Sequence, residues 1–357
     1  MTSRRGPAGP PAAGPRLGDD EALALLEGGD LLGVGARADA VRRRLHPGDD
    51  VTFIVDRNIN NTDYCNSGCR FCAFYKRPGS GEGYLLGEEE IHRKVEETLA
   101  LGGTAIMMQG GLHPDLDIRW FERVFGGIKA RYPIHIHSLS PPEIVHIATM
   151  SELSVEETLR RLRAAGLDSL PGGGAEVLVD RVRSAISPHK IPTDTWLDVM
   201  RVAHRLGMKT TATMMFGSTD TPADRVEHLR RLRDLQDETG GFTAFIPWTF
   251  QAGNTELQAG HVPATGFDYL RMLAVSRIYL DNVPSIQASW VTQGLRMGQV
   301  ALAFGANDMG STMIEENVVA AAGVRNQCDV PEMVRLIRAA GRTPVQRDTL
   351  YGEVRRY

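Results

Sequence analysis

From Val51 onward the chain repeats one rhythm: a short run of apolar or β-branched residues, then a longer amphipathic stretch with Glu, Arg and Leu at helical spacing. The runs VTFIV from Val51, TAIMM from Thr104, IHIHSLS from Ile134 and LDSL from Leu167 are followed by TTATMMF from Thr210, FTAFIPW from Phe242, SIQASW from Ser285 and ALAFGA from Ala301, giving eight candidate strands. Between them lie helix candidates such as GEEEIHRKVEETLALG, SVEETLRRLRAAG and TDTWLDVMRVAHRLG, several opening on Ser, Thr or Asp and closing on Gly as caps require. Eight β/α units match the roughly 250 residues of a closed barrel, whereas a doubly wound open sheet needs fewer strands and a dinucleotide-type glycine loop. The expected fold is α/β, a (β/α)8 TIM-type barrel over residues 51–310.

The flanks read differently. Residues 1–18 are rich in Gly, Pro and Ala, which predicts a disordered tail, and Arg4 and Arg5 are not followed by the apolar stretch of an export signal. Residues 19–50 are expected to form a helical preface broken by glycines, and residues 311–357 a helical C-terminal extension that closes one end of the barrel. With 40 basic and 44 acidic residues and a net charge of -4, nothing favours a nucleic-acid or anionic-membrane partner. No uncharged apolar run approaches the roughly 20 residues of a membrane helix. Four cysteines, three of them clustered, do not make a secreted disulfide framework, so a cytoplasmic location is expected.

Barrels of this kind carry their sites at the C-terminal ends of the strands. The segments there are chemically loaded: Arg57, Asn58, Asn60 and a cysteine loop after the first strand, QGGLHPD after the second, then SPPE, PGGGAE, GSTD, TFQAGNTE, VTQG and NDMGSTMIEEN. Cys65, Cys69 and Cys72 form C-x3-C-x2-C on the first of these loops. A structural zinc site wants four protein ligands, commonly as two pairs, and no second pair is present. Iron-sulfur clusters are held by thiolates, normally four, so three leave one iron open to a small molecule. Cys328 reads as a lone thiol, and His135 and His137 as packing residues that share one face of a strand.

A C-x3-C-x2-C loop after the first strand of a β/α barrel, with Phe71 before the third cysteine, resembles the radical S-adenosylmethionine superfamily. The resemblance implies a 4Fe-4S cluster on Cys65, Cys69 and Cys72, with its fourth iron chelated by S-adenosylmethionine, whose reductive cleavage yields a 5'-deoxyadenosyl radical. It also implies a cofactor role for Gly110 and Gly111 in MQGG, and for Glu143 and Glu176, which follow strands three and four. On the residues alone, the glycines fit an ordinary strand-to-loop turn and the acids fit helix N-termini.

Longer strings, CAFYKRPGS, GLDSLPGGGAE, TATMMFG, DLQDETGGFTAFIPWTFQAGNTEL and GANDMGSTMIEENVV, resemble the dehypoxanthine futalosine cyclase family of the futalosine route to menaquinone, over nearly all of residues 51–350. The aminofutalosine synthases share the cysteine loop and ETGGF and stand as the alternative; the deazaflavin synthases are expected to share less. One departure is Asn60-Asn61-Thr62-Asp63 where the family more often has Asn-Tyr-Thr-Asn. The resemblance implies abstraction of the ribose C4' hydrogen of dehypoxanthine futalosine and attack of the carbon radical on the benzoate ring. A small-molecule substrate and an electron donor such as flavodoxin or ferredoxin follow as partners. Rearomatisation needs a base, for which Glu176, Asp308 and His113 are candidates. Arg57 and Arg296 are candidates for the substrate carboxylate, a group that a guanidinium grips with two parallel hydrogen bonds, and Gln251 and Asn254 for further substrate contacts.

Overall fold

The computed structural model describes residues 16–357. Eleven strands run in chain order: β1 Asp50–Ile54, β2 Asp56–Ile59, β3 Ala105–Met108, β4 His135–Ser138, β5 Ser169–Leu170, β6 Lys209–Phe216, β7 Phe242–Thr249, β8 Ser285–Ile286, β9 Asp308–Ser311, β10 Thr343–Arg347 and β11 Glu353–Arg356. Helices precede and separate them: α1 Asp19–Glu27, α2 Leu31–Leu45, α3 Glu88–Ala100, α4 Ile118–Arg131, α5 Pro141–Met150, α6 Val155–Ala165 and α7 Asp180–Ile186. The second half of the chain adds α8 Thr193–Arg205, α9 Pro222–Thr239, α10 Gly266–Tyr279, α11 Trp290–Gln293, α12 Leu295–Ala301, α13 Val318–Ala321 and α14 Val330–Ala339.

Strands β2 to β8 form one parallel sheet in sequence order. β1 runs into β2 across Val55, so the first stave of the barrel is one extended stretch in two pieces. Its first piece pairs with β9 on one side and β10 on the other, and its second with β3. Asn307 N donates to Ile286 O at 3.1 Å and Ala288 N to Asp308 O at 2.8 Å, which ties β8 to β9 and completes the ring. The expected α/β barrel of eight staves is therefore present. Its eighth stave is not ALAFGA: Ala301 ends α12, and the strand comes later, at Asp308–Ser311.

A further difference concerns the C-terminal flank. The segment expected to be helical at the C-terminal end contributes β10 and β11 as well as α14, with β11 antiparallel to β10. SPPE after β4 is the first turn of α5, with Pro141 at its start and a capping box between Ser140 and Glu143. The preface is helical, split into α1 and α2 at Gly28 and Gly29. The tail expected over residues 1–18 lies largely outside the described residues. No helix among the described residues is long and apolar enough to cross a membrane.

Alternation places the outward positions of each strand against the helices, where Ile106, Phe125, Ile136 and Ile144 make one apolar cluster and Phe53, Trp196, Phe216 and Phe245 belong to another. Polar side chains face inward at the low end of the lumen. Asp308, fully buried, accepts Thr52 Oγ1 at 2.5 Å and Gly310 N at 2.7 Å, and is gripped at both oxygens by the Arg347 guanidinium arriving from β10. Ser311 Oγ donates to Asp56, whose pKa is pushed up to about 6, by burial first and by Asp308 in addition, against the pull of Ser311 and Arg347.

A carboxyl with a folded pKa above its unfolded one contributes stability that is full below the unfolded value and lost as pH rises through the folded value. Asp56→Asn keeps an acceptor for Ser311 and removes the charge. The variant is expected to gain on the order of 2 kcal/mol over the native chain at pH 8, and little at about pH 4. Denaturant titrations at both pH values check this, and a gain of the same size at each would refute the assignment.

Candidate active site at the barrel mouth

The loop between β2 and α3 carries the three cysteines and is fixed by backbone bonds at its base: Cys65 N donates to Lys76 O at 3.0 Å, and Cys72 N to Cys69 O at 3.1 Å. Each sulfur meets donors. Cys65 Sγ accepts Ser67 N at 3.4 Å and Leu112 N at 3.3 Å, Ser67 Oγ lies 3.1 Å from Cys69 Sγ, and Cys72 takes the backbone N–H groups of Phe74 and Tyr75. Burial holds the Cys69 and Cys72 thiols above their ordinary pKa, with these donors acting in the opposite sense. Among the described residues no three His, Cys, Asp or Glu side chains converge as a single metal ion would need. An iron-sulfur cluster asks for something else: thiolates on separate irons, with hydrogen bonds to the sulfurs tuning the centre. The donor set fits that group.

The loop rests on the turn after β3. Asn60 Nδ2 donates to Gln109 O at 2.9 Å, Gly111 N to Thr62 O at 2.9 Å and Asn66 N to Leu112 O at 3.0 Å. A Cβ at Gly111 would stand 2.2 Å from Tyr64 O, and one at Gly110 2.5 Å from Asn61 Oδ1. Close backbone approach thus requires the glycine at 111, whereas at 110 the nearest obstacle is the Asn61 side chain. Gly111→Ala is accordingly expected to push the cysteine loop off its seat and cut iron incorporation several-fold, with Gly126→Ala, whose Cβ would meet nothing within 4 Å, as the neutral control. Iron and acid-labile sulfide analysis after anaerobic reconstitution decides; full iron loading of the Gly111 variant would refute it.

Glu143 is buried beneath this turn and is committed on both oxygens: Oε1 accepts Gly110 N at 3.0 Å, and Oε2 accepts Ser140 N at 2.7 Å and Ser140 Oγ at 2.5 Å. It caps α5 and steadies the glycine turn at once. Burial lifts its pKa, opposed by those same donors and by Lys190.

Glu176 sits after β5 with a left-handed φ of 43° and 5 % exposure. Lys190 Nζ lies 2.8 Å from its Oε1 and Arg183 Nη1 3.4 Å from its Oε2. Arg183 also donates to Ala175 O at 2.6 Å and Gly174 O at 3.1 Å, fixing the PGGGAE turn. Burial works against the Lys190 ammonium, yet the charges of Cys69 and Glu176 hold its pKa above the ordinary lysine value. The same ammonium stands 5.1 Å from the centre of the Phe71 ring. Lys190 thus joins the PGGGAE turn to the cysteine loop, and no local spacing marks it in the sequence, because Cys69 and Phe71 lie more than 100 positions away.

The other candidates are scattered. His113 lies on the rim of the β3 turn, edge-on to Tyr64 with centroids 5.7 Å apart, and its Nδ1 accepts Asp115 N at 3.1 Å. Partial burial lowers its pKa, which favours the neutral ring. Gln251 Nε2 donates to Thr249 Oγ1 at 2.8 Å at the end of β7. Asn254, exposed and at φ 60°, holds Ala321 O at 2.8 Å and so ties this loop to α13. Arg296 is exposed on α12, without an ion-pair partner among the described residues. Arg57 points out of the barrel, to Glu97 at 2.7 Å and Glu315 at 2.9 Å, because odd positions of this stave face the helices. It is not available as a clamp inside the mouth. Asp308, expected at the mouth, is instead the buried half of the Arg347 pair with both oxygens occupied.

Two family models cover most of the chain: the Radical SAM superfamily over residues 59–232 and the CofH/MqnC C-terminal region over residues 239–356. The cyclic dehypoxanthine futalosine synthase of Streptomyces coelicolor is 49% identical over 344 residues, 95% of this chain and 86% of the relative. That of Halalkalibacterium halodurans is 46% identical, covering 96% and 93%. The 5-amino-6-(D-ribitylamino)uracil–L-tyrosine 4-hydroxyphenyl transferase of Methanococcoides burtonii is 43% identical, covering 94% and 95%. In fold, methylornithine synthase (PylB) superposes with a TM-score of 0.74 at 20% identity, covering 93% of this chain and 95% of that one. The FeFe-hydrogenase maturase HydG from Carboxydothermus hydrogenoformans gives 0.76 at 14% identity, covering 94% and 77%. With the cysteine loop seated at the mouth of its barrel, this chain is an enzyme of the radical S-adenosylmethionine superfamily, in the branch that contains the cyclic dehypoxanthine futalosine synthases and the 4-hydroxyphenyl transferases.

Proposed function

We propose that the protein cyclises dehypoxanthine futalosine to cyclic dehypoxanthinyl futalosine, on the strength of its 49% and 46% identity, nearly end to end, to two synthases of that name. Cys65, Cys69 and Cys72 would hold a 4Fe-4S cluster and the mouth S-adenosylmethionine, which together supply the one-electron chemistry that starts the reaction. The chain's own task is to position the substrate. It must hold the sugar and the benzoate ring of one molecule close enough for a bond to form between them, and screen them from water. Trp248 and Ile246, inward-facing and part-exposed on β7, are apolar walls suited to an aromatic ring. Glu176 is held by two cations and Asp308 by Arg347, which leaves the neutral ring of His113 as the acid–base candidate with the most suitable surroundings. Gly110, Gly111, Glu143, Glu176 and Phe71 remain the proposed cofactor contacts, and Gln251, Asn254 and Arg296 the proposed substrate contacts on the rim.

A second reading has direct support: transferases named for ribitylaminouracil and tyrosine are 42–45% identical, only slightly less than the synthases. These transferases share far more of the chain than local motifs alone. One assay separates the readings. Reduced, reconstituted enzyme with S-adenosylmethionine is offered dehypoxanthine futalosine, the ribitylaminouracil with tyrosine, and the enolpyruvyl ether of the benzoate used by aminofutalosine synthases. A product two hydrogens lighter than dehypoxanthine futalosine supports the first reading, and turnover of either other substrate alone replaces it.

A further inference from the structure

Asn58 is 7 % exposed, and its Oδ1 is buried with no hydrogen-bond partner among the described residues. Its neighbours fix the direction of its side chain. Arg57 reaches outward to Glu97, and Ile59, fully buried, packs with Ile91 and Val95 of α3, so Asn58 between them faces the lumen. Two residues below on the same face, Asp56 is engaged by Ser311; two residues above, Asn60 is engaged by Gln109 O and by Asn317. Asn58 alone on this stave is uncommitted, about 7 Å below the start of the cysteine loop by strand rise.

A buried amide oxygen left without a donor is costly, and a protein keeps one where a ligand supplies the donor.

We infer that Asn58 is a binding group in the lumen for a neutral, hydroxyl-bearing part of the substrate. A hydroxyl both donates and accepts, so it matches either end of an amide turned about its last bond. A carboxylate or phosphate has no proton to give Oδ1 and would stand beside Asp56. The inference rests on the reading of the substrate as a sugar tethered to a benzoate, and it places the sugar deep, under the cysteine loop.

The test pairs protein and ligand changes in the reconstituted holoenzyme with S-adenosylmethionine present, and reads affinity by calorimetry without turnover. The probes are dehypoxanthine futalosine and its analogue lacking one ring hydroxyl. The native chain is expected to bind the parent about ten-fold more tightly than the analogue, and Asn58→Leu to erase that difference by weakening the parent alone. Asn58→Ser, which keeps a small polar group if the leucine variant folds poorly, should retain part of it. Equal losses for parent and analogue, or none, mean that Asn58 meets a structural water or packs only, and overturn the inference. Should the native chain fail to bind dehypoxanthine futalosine at all, the substrate reading falls instead, and the same comparison with the ribitylaminouracil and its deoxy analogue decides the role of Asn58.

Discussion

Cys69→Ala is expected to abolish both cluster incorporation and turnover. Cys69 is 6 % exposed, is contacted by Ser67 Oγ, and shares the charge of Lys190 with Glu176, so its sulfur sits where the loop, the PGGGAE turn and the ammonium meet. Alanine removes one of three thiolates and leaves Lys190 with Glu176 as its principal counter-charge. A cluster with two protein ligands would not survive isolation. Iron and sulfide analysis, visible absorption and product formation give three independent readings, and measurable turnover by this variant would sink the proposed mechanism.

Arg347→Met carries the largest expected loss of stability. Its guanidinium is buried against Asp308, which is wholly inaccessible, and near Asp56; removing the cation leaves two carboxylates in the barrel without it. Losing one partner of a buried pair costs about 3–5 kcal/mol. The exposed Arg356–Asp50 pair on the neighbouring strand is the natural comparison, since Arg356→Met should cost under about 1 kcal/mol. Equilibrium denaturation of both variants checks the contrast, and equal losses would show that burial of the Arg347 pair is not what matters.

The barrel was legible because its signal is long: seven of the eight staves fall on the apolar runs that periodicity picks out. The eighth escaped for a physical reason. Asp308–Ser311 holds Asp and Gly, poor strand formers, and is extended only because β1 and β8 supply its partners. ALAFGA looked more apolar, yet it ends a helix. α5 carried a readable sign, Ser140 followed three residues later by Glu143 with Pro141 between, which is a helix start.

At the site, the cysteines could be read because their spacing is local, whereas Lys190 could not, since Glu176 comes to it from the turn after β5 and Phe71 and Cys69 from the cysteine loop. Arg57 was misjudged because the apolar run ends at Val55; only the extension of the stave through β2 places Arg57 on the helix-facing side, one position from Asn58.

The pairing of β1 with β10 bears on how the molecule comes into being. Asp49 and Arg342, joined at 2.9 Å beside that ladder, are 293 positions apart, and β1 has only β9 and β10 to pair its first half. On a ribosome, the first half of that stave emerges early and waits, both edges open, through the synthesis of nearly everything that follows. An unpaired strand edge is where chains stick to one another. Expression conditions that slow elongation, or fusions that delay release of residues 343–356, lengthen that wait and are expected to lower the yield of soluble protein.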